Sequence, residues 1–486
     1  MHTKELPPKK TKIICTIGPA SESQEMLERL ITKGMNVIRL NFAHGDFESH
    51  EQVIKNIRAA AAATDERVAI MGDLPGPKMR IGRLAEEPIE LTRGQQFALQ
   101  LDEIEGNRER VSIDFTVLPQ VVKPGDKIFI NDGFIQLEVE TVEKGAVHCR
   151  VMVGGELRSH KGVNFPGIDL GISAFTKNDH EFLKFAAGQK LDAVSQSFVQ
   201  SPDDIRAVRE AATALDYHPF IIAKIERAGA VDNMEAILAV TDGIMVARGD
   251  LGVEIPIEEI AVVQKQIIHQ ANLLGKPVIT ATHMLESMID HSRPTRAEAT
   301  DVANAILDGT DCVMLSGETA MGSYPAEAVS VMTRIAQVTE PYCNHRKVAE
   351  VLSHARQKGE ISKDDLIALS IYRTVEAISP SVVITPTISG ATPRRLNRFR
   401  LPVWILAVSP NKSTCQNLQF SYGVCPALES DRPSSWRRYA QIWLEQHGMT
   451  EKLALLTQGT SRTGTGSTDH IEILDPSLPF SETSIW

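Results

Sequence analysis

The sequence predicts an α/β protein: a (β/α)8 TIM barrel interrupted by an inserted small β-barrel domain and followed by a C-terminal α/β domain. Three observations predict it. Short aliphatic runs alternate with helical stretches through the first two thirds of the chain. Each run ends in polar or charged residues. The cadence breaks once, between Pro75 and about Leu170, where the signals turn β-like.

The candidate strands are Lys12–Thr16, Asn36–Leu40, Val68–Met71, Ala193–Ser197, Phe220–Ile225, Gly243–Ala247, Val278–Ala281 and Cys312–Leu315. Helical patterns such as Met26–Thr32, Pro202–Ala214 and Ile257–Leu274 separate them. Repeated β-α units imply a parallel sheet, and eight of them suggest closure into a barrel with its chemistry at the C-terminal strand ends. An open doubly wound sheet is the alternative on cadence alone. Inside the break, Lys127–Ile130 and Phe134–Val139 flank the hairpin turn Asn131-Asp132-Gly133. Pro124-Gly125 and Gly154-Gly155 mark further turns. An insertion at the active-site end has the place of a lid.

A separate unit begins near Tyr342. Ser362–Ile378 and Trp436–Gln446 read as helices, and Val382–Thr385, Val403–Val408, Leu453–Leu456 and Ile471–Leu474 as strands. Gln458–Asp469, rich in Gly, Ser and Thr, reads as a mobile loop, and Pro476–Trp486 as a tail. The expected division is an N-terminal arm (1–10), the barrel (11–74 and 171–341), the inserted lid (75–170) and a regulatory domain (342–486).

At 486 residues the chain exceeds one ordinary core. A net charge of −11 argues against a general nucleic-acid or anionic-membrane binder, so any phosphate must be caught by local cations. No apolar stretch approaches the ~20 residues a membrane helix needs. Met1–Lys12 is basic without an apolar signal core, so secretion is not expected. The cysteines Cys15, Cys149, Cys312, Cys343, Cys415 and Cys425 show no CxxC spacing, the pattern of free thiols in a reducing cytoplasm.

Chemistry gathers at successive strand ends. Side chains alternate along a strand, so Lys224 and Glu226 point the same way, as do Arg39 and Asn41. The next two strands end in Arg248-Gly249-Asp250 and in Thr282-His283. Mg²⁺ takes one or two carboxylates plus substrate oxygens and water, a role Glu226 and Asp250 fit. Lys224 would neutralise a transferring phosphoryl group, and Arg39 presents a planar fork to phosphate. Mutual neutralisation of these charges inside a barrel mouth is the alternative. A GxxxxGK[ST] or GxGxxG cradle is absent.

Thr11–Ser21 (T-K-I-I-C-T-I-G-P-A-S), Asn36–Gly45 (N-V-I-R-L-N-F-A-H-G), Ile222–Ala228, Met245–Glu254, Ile279–Met288 and Arg293–Ala320 resemble the pyruvate kinase family, and the likeness extends over nearly the whole chain. The resemblance implies phosphoryl transfer from phosphoenolpyruvate to ADP, giving pyruvate and ATP, in a cytoplasmic homotetramer. Carried over by position, Arg39 and Lys224 would contact the phosphoryl group, and Glu226 and Asp250 would hold Mg²⁺, for which Mn²⁺ is a possible substitute. Gly249, Asp250 and Thr282 would hold the substrate carboxylate, with Thr282 and Ser316 relaying the proton to carbon. Asn41, His44, Arg80 and Lys177 would line the nucleotide side. A metal-dependent lyase or aldolase and a non-catalytic homologue are the competing readings.

Several departures from the family pattern carry information. Family K⁺ ligands would fall at Ala43 and Leu74, which lack hydroxyls, and Lys78 stands where a glutamate is common. Lys78 is therefore expected to act as an internal cation, with K⁺ not required. Met321 replaces a lysine and His283 a glutamine. In the last domain, Thr387, Ser389, Gly390 and Thr392 resemble a sugar-phosphate effector loop, implying a phosphorylated allosteric effector (a sugar phosphate or AMP); a plain helix cap is the alternative.

Overall fold

The computed structural model describes residues 6–343, 346–449, 453–459 and 468–475. Most of the loop read at 458–469, all of the tail at 476–486 and half of the N-terminal arm lie outside them.

Eight parallel strands close into a barrel in which each neighbour is the next strand along the chain. They are β1 (Lys12–Thr16), β2 (Met35–Asn41), β3 (Ala69–Leu74), β4 (Ala193–Gln196), β5 (Phe220–Ile225), β6 (Gly243–Ala247), β7 (Val278–Ala281) and β8 (Cys312–Leu315). The alternation of side chains along a strand sorts the residues into two layers. Val37, Ala69, Met71, Ala193, Phe220, Ile222, Met245, Ile279 and Met314 fill the lumen. Their neighbours Ile38, Ile70, Val194, Ile221, Ala223, Ile244 and Val313 pack outward under the helices. Helix boundaries follow local chemistry. Gln24–Lys33 starts on Ser23, whose side chain accepts from the Met26 N–H, and stops at Gly34, φ 117°. The helix read over Ile257–Leu274 is a 3₁₀ turn, Ile257–Glu259, running into an α-helix, Ile260–Leu273.

β3 and β4 pair directly, Asp73 opposite Ser195, although the insertion separates them in sequence. The inserted strands form a six-stranded and a two-stranded sheet around one core that includes Phe97, Leu99, Ile130, Leu137 and Val151. The hairpin strands are Lys127–Ile130 and Ile135–Val142. Asn131, Asp132 and Gly133 turn it with φ of 56°, 55° and 87°, all left-handed, which explains the choice of residues.

The last unit is a five-stranded sheet with the unforeseen strand Val424–Leu428 at one edge. Pro426 hid it from a propensity reading; an edge strand tolerates proline. Helix Arg346–Lys358 was likewise not foreseen. This unit docks on the base of the barrel, where Phe420 enters the lumen core and stacks on Phe220 with ring centroids 5.4 Å apart. Asp311, just before β8, accepts from Asn397 Nδ2, Arg400 Nη1 and the Tyr422 N–H at 2.7, 3.0 and 3.0 Å.

Candidate active site

At the opposite end of the barrel, the inward-facing positions change from apolar to polar. Above Ile14, Val37, Met71, Ala193 and Ile222 come Thr16, Arg39, Asp73, Ser195 and Lys224, two residues on in each strand. One connected network results. Arg39 Nε and Nη2 reach Asp73 Oδ2 at 2.8 and 2.5 Å, and Arg39 Nη1 donates to Thr16 Oγ1 at 3.0 Å. Ser195 Oγ donates to Asp73 Oδ1 at 2.6 Å. Lys224 Nζ lies 3.5 Å from Asp73 Oδ2 and 2.9 Å from Glu226 Oε1, and donates to Ser197 Oγ at 2.7 Å. Glu226 Oε2 accepts the Phe198 N–H at 2.7 Å.

The charges are mutually adjusted. Burial would push the Asp73 carboxyl up, but Lys224 and Arg39 outweigh it and hold the group below the ordinary carboxylate range. Burial would lower the Lys224 ammonium, yet Asp73 and Glu226 raise it, so it stays protonated. Asp250 behaves oppositely: burial first, then the charge of Glu226, push its carboxyl up to about 6, against the lowering effect of Lys224 and Lys78. Two carboxylates close enough to affect one another in this way are oxygen donors of the kind a divalent ion takes. Among the described residues no cluster of three or more His, Cys, Asp or Glu offers an alternative metal seat.

Gly249 and Asp250 lie in the first turn of helix Arg248–Glu254. The Gly249 N–H points to Thr282 Oγ1 at 3.3 Å. Thr282 and His283 both sit in the left-handed region, φ 72° and 53°. Ser316 follows β8, its N–H donating to Glu318 Oε2 at 2.7 Å. The insertion reaches this end: Asp132 adds to the upward push on Asp250, and a Cβ on Gly133 would lie 3.6 Å from Val253.

The positions expected to meet a nucleotide are more dispersed. Asn41 Oδ1 accepts the Ala43 N–H at 3.2 Å, and the His44 N–H donates to the Asn41 carbonyl at 3.2 Å, so both belong to the turn after β2. Arg80 Nη1 donates to the His160 carbonyl at 2.8 Å, inside the insertion. Lys177 is exposed at the start of helix Lys177–Gly188. Among the described residues, no hydrogen bond or ion pair joins Arg80 or Lys177 to the Lys224 network. Lys78 is exposed, and its charge bears on Asp250. In the last unit, Thr387 Oγ1 accepts the Gly390 N–H at 2.9 Å, Arg394 Nη1 donates to the Ser389 carbonyl at 3.2 Å, and Thr392 Oγ1 lies 2.8 Å from Thr468 Oγ1.

A large cavity, about 1610 Å³, lies instead between the barrel base and the last unit, lined among others by Lys9, Asn36, Arg67 and Trp404. The mouth is the better candidate for chemistry, because cations and carboxylates from successive strand ends, Arg39, Asp73, Lys224, Glu226 and Asp250, come together there. Asp73, Thr16, Ser195 and Ser197 were not singled out from sequence, although the rule of two along β1, β3 and β4 points to them.

The chain is similar to known proteins over both its barrel and its last unit. The family description "Pyruvate kinase, barrel domain" matches residues 8–329, and "Pyruvate kinase, alpha/beta domain" matches residues 365–474. A pyruvate kinase of Thermococcus litoralis is 46% identical over 429 residues, 87% of this chain and 89% of that protein. One from Geobacillus stearothermophilus is 45% identical over 419 residues, 86% of this chain and 71% of that protein. The crystal structure of a pyruvate kinase from Cryptosporidium parvum superposes with a TM-score of 0.89 at 37% identity, covering 96% of each chain.

Proposed function

The chain belongs to the pyruvate kinase family and is a phosphotransferase, and from that premise we propose how its barrel mouth moves a phosphoryl group from phosphoenolpyruvate to ADP, as a homotetramer with residues 75–170 as its lid. The observation that carries the reading is the Arg39–Asp73–Lys224–Glu226 network beside Asp250. Arg39 and Lys224 present cations that Asp73 holds in place, so the charge of a phosphoryl group meets donors already oriented. Glu226 and Asp250 would hold Mg²⁺. When bound, the ion supplies charge neutralisation and Lewis acidity.

The Gly249 and Asp250 N–H groups, in the first turn of helix Arg248–Glu254, and Thr282 Oγ1, 3.3 Å from the Gly249 nitrogen, would hold the substrate carboxylate. That anchor fixes the three-carbon unit between Lys224 and Thr282. After phosphoryl transfer, the carbon that held the double bond needs a proton, and the hydroxyls of Thr282 and Ser316 relay one through water. Asn41, His44, Arg80 and Lys177 complete the reading on the nucleotide side; Arg80, which belongs to the insertion, would approach as the insertion swings over the mouth.

Lys78 deepens the proposal. Its ammonium bears on Asp250, while Ala43 and Leu74 offer no hydroxyl oxygens to a monovalent ion. We expect pyruvate formation to require ADP and Mg²⁺, and turnover in tetramethylammonium buffer to stay within about twofold of that in KCl. Phosphoenolpyruvate left unconverted with both present would refute the function. A large stimulation by KCl would refute only the role of Lys78.

The Thr387–Thr392 loop is proposed to take a phosphorylated effector. Its hydroxyls and the Arg394 guanidinium frame a small polar loop. Titration with sugar phosphates and AMP should shift both the melting temperature and the half-saturating phosphoenolpyruvate concentration. If neither moves across the panel, the loop is only a helix cap.

A further inference from the structure

Arg248 is the residue after β6, but its guanidinium serves the next strand. Nε donates to the carbonyl of Ala281, the last residue of β7, at 3.1 Å. Nη2 donates to the Thr282 carbonyl at 2.7 Å and contacts Met284 Sδ at 2.8 Å. The outer nitrogen, Nη1, is tied to Asp301 Oδ1 at 2.7 Å and to Gln264 Oε1 at 3.4 Å. The side chain is 12% exposed, so this is an inward brace and not a surface ion pair. The backbone it grips is the strained one. Thr282 and His283 are consecutive left-handed residues, a conformation that a branched Cβ resists. Its neighbour Gly249 is matched to the result: a Cβ there would come within 3.0 Å of Thr282 Cγ2.

We infer that Arg248 is a positioning residue for proton delivery, its guanidinium holding Thr282 in the left-handed turn that aims Oγ1 at the substrate site. The inference rests on the function proposed above. A guanidinium suits the task because its planar fork can satisfy two successive carbonyls and still reach an acidic anchor; an ammonium on a flexible stem cannot fix the same plane. The guanidinium is directed at the Ala281 and Thr282 carbonyls and at Asp301, so its effect on the reaction would pass through Thr282.

A double-mutant cycle reads this directly. Arg248→Met should lower kcat about 10–100-fold, with KM for phosphoenolpyruvate rising by a smaller factor, because Thr282 Oγ1 also serves the carboxylate. Exchange of the pyruvate C3 protons with solvent should fall with it. In a Thr282→Ala background the same substitution should add less than about twofold. Arg248→Lys should recover part of the loss and Asp301→Asn, which frees the anchor, should reproduce part of it. If Arg248→Met does not fold, Asp301→Asn with Thr282→Ala supplies the cycle. Equal losses in both backgrounds, or unimpaired C3 exchange in the single variant, overturn the inference. An inactive wild type would instead sink the function itself.

Discussion

Replacing Lys224 with methionine is expected to cut phosphoryl transfer by about 10²–10³-fold or more, the scale for removing a preorganised group aimed at developing charge. Exchange of the pyruvate C3 protons, which depends on Thr282, should survive. The same change should weaken the fold. Lys224 lies between Asp73 and Glu226, and its loss leaves two buried carboxylates without that partner. Breaking a buried pair from one side costs on the order of 3–5 kcal/mol, read as a lower urea midpoint at pH 7. The sign with pH follows from Asp73. Its carboxyl is held below the ordinary range in the folded protein, so its contribution is present above the unfolded value and lost as pH falls through the folded one. Without Lys224 that contribution shrinks, and acid unfolding should begin at higher pH than in wild type. A variant with full kinase activity would remove Lys224 from the mechanism. An unchanged acid transition would mean that Arg39 alone holds Asp73 ionised.

How much of this was legible beforehand depends on how local the information is. The barrel was legible because period-two aliphatic runs and the helices between them are local patterns. Lys224 and Glu226 were legible for the same reason: two residues apart at a strand end, they had to share a face. Asp73 obeys the same parity along β3 but stands before Leu74-Pro75, where the strand runs into the insertion, and so was missed. Other contacts had no local signature. Phe198 donates its N–H to Glu226 from a left-handed residue, φ 58°, and Arg248 reaches across to β7. Both depend on the shear of a closed barrel, which places the end of one strand beside the next. The inserted hairpin's turn was readable from Asn-Asp-Gly, but its approach to Asp250 was not, because that depends on how two folded units dock.

Asp250 yields the sharpest pH behaviour. An aspartate is ordinarily half ionised near pH 3.9, whereas burial and the charge of Glu226 bring Asp250 up to about 6. Between those values the metal-free folded state binds more protons than the unfolded chain, so this group's contribution declines as pH rises through the window. Asp250→Asn should therefore make the metal-free protein more stable at pH 7, by on the order of 1–2 kcal/mol once partial exposure is discounted. A bound cation reverses the logic, because it needs the ionised form. Proton and metal compete, and affinity should drop about tenfold per pH unit below about 6, levelling off above 7. Mn²⁺ titrations followed by electron paramagnetic resonance from pH 5 to 8 test this without any turnover. Asp250→Asn should bind weakly with a flatter profile. The melting-temperature gain on adding Mg²⁺ should likewise grow with pH in wild type, since the ion relieves the repulsion between Glu226 and Asp250 that ionisation creates. Metal binding that is level from pH 5 to 7 would show that Asp250 is not a ligand, and the paired-carboxylate seat would be lost with it.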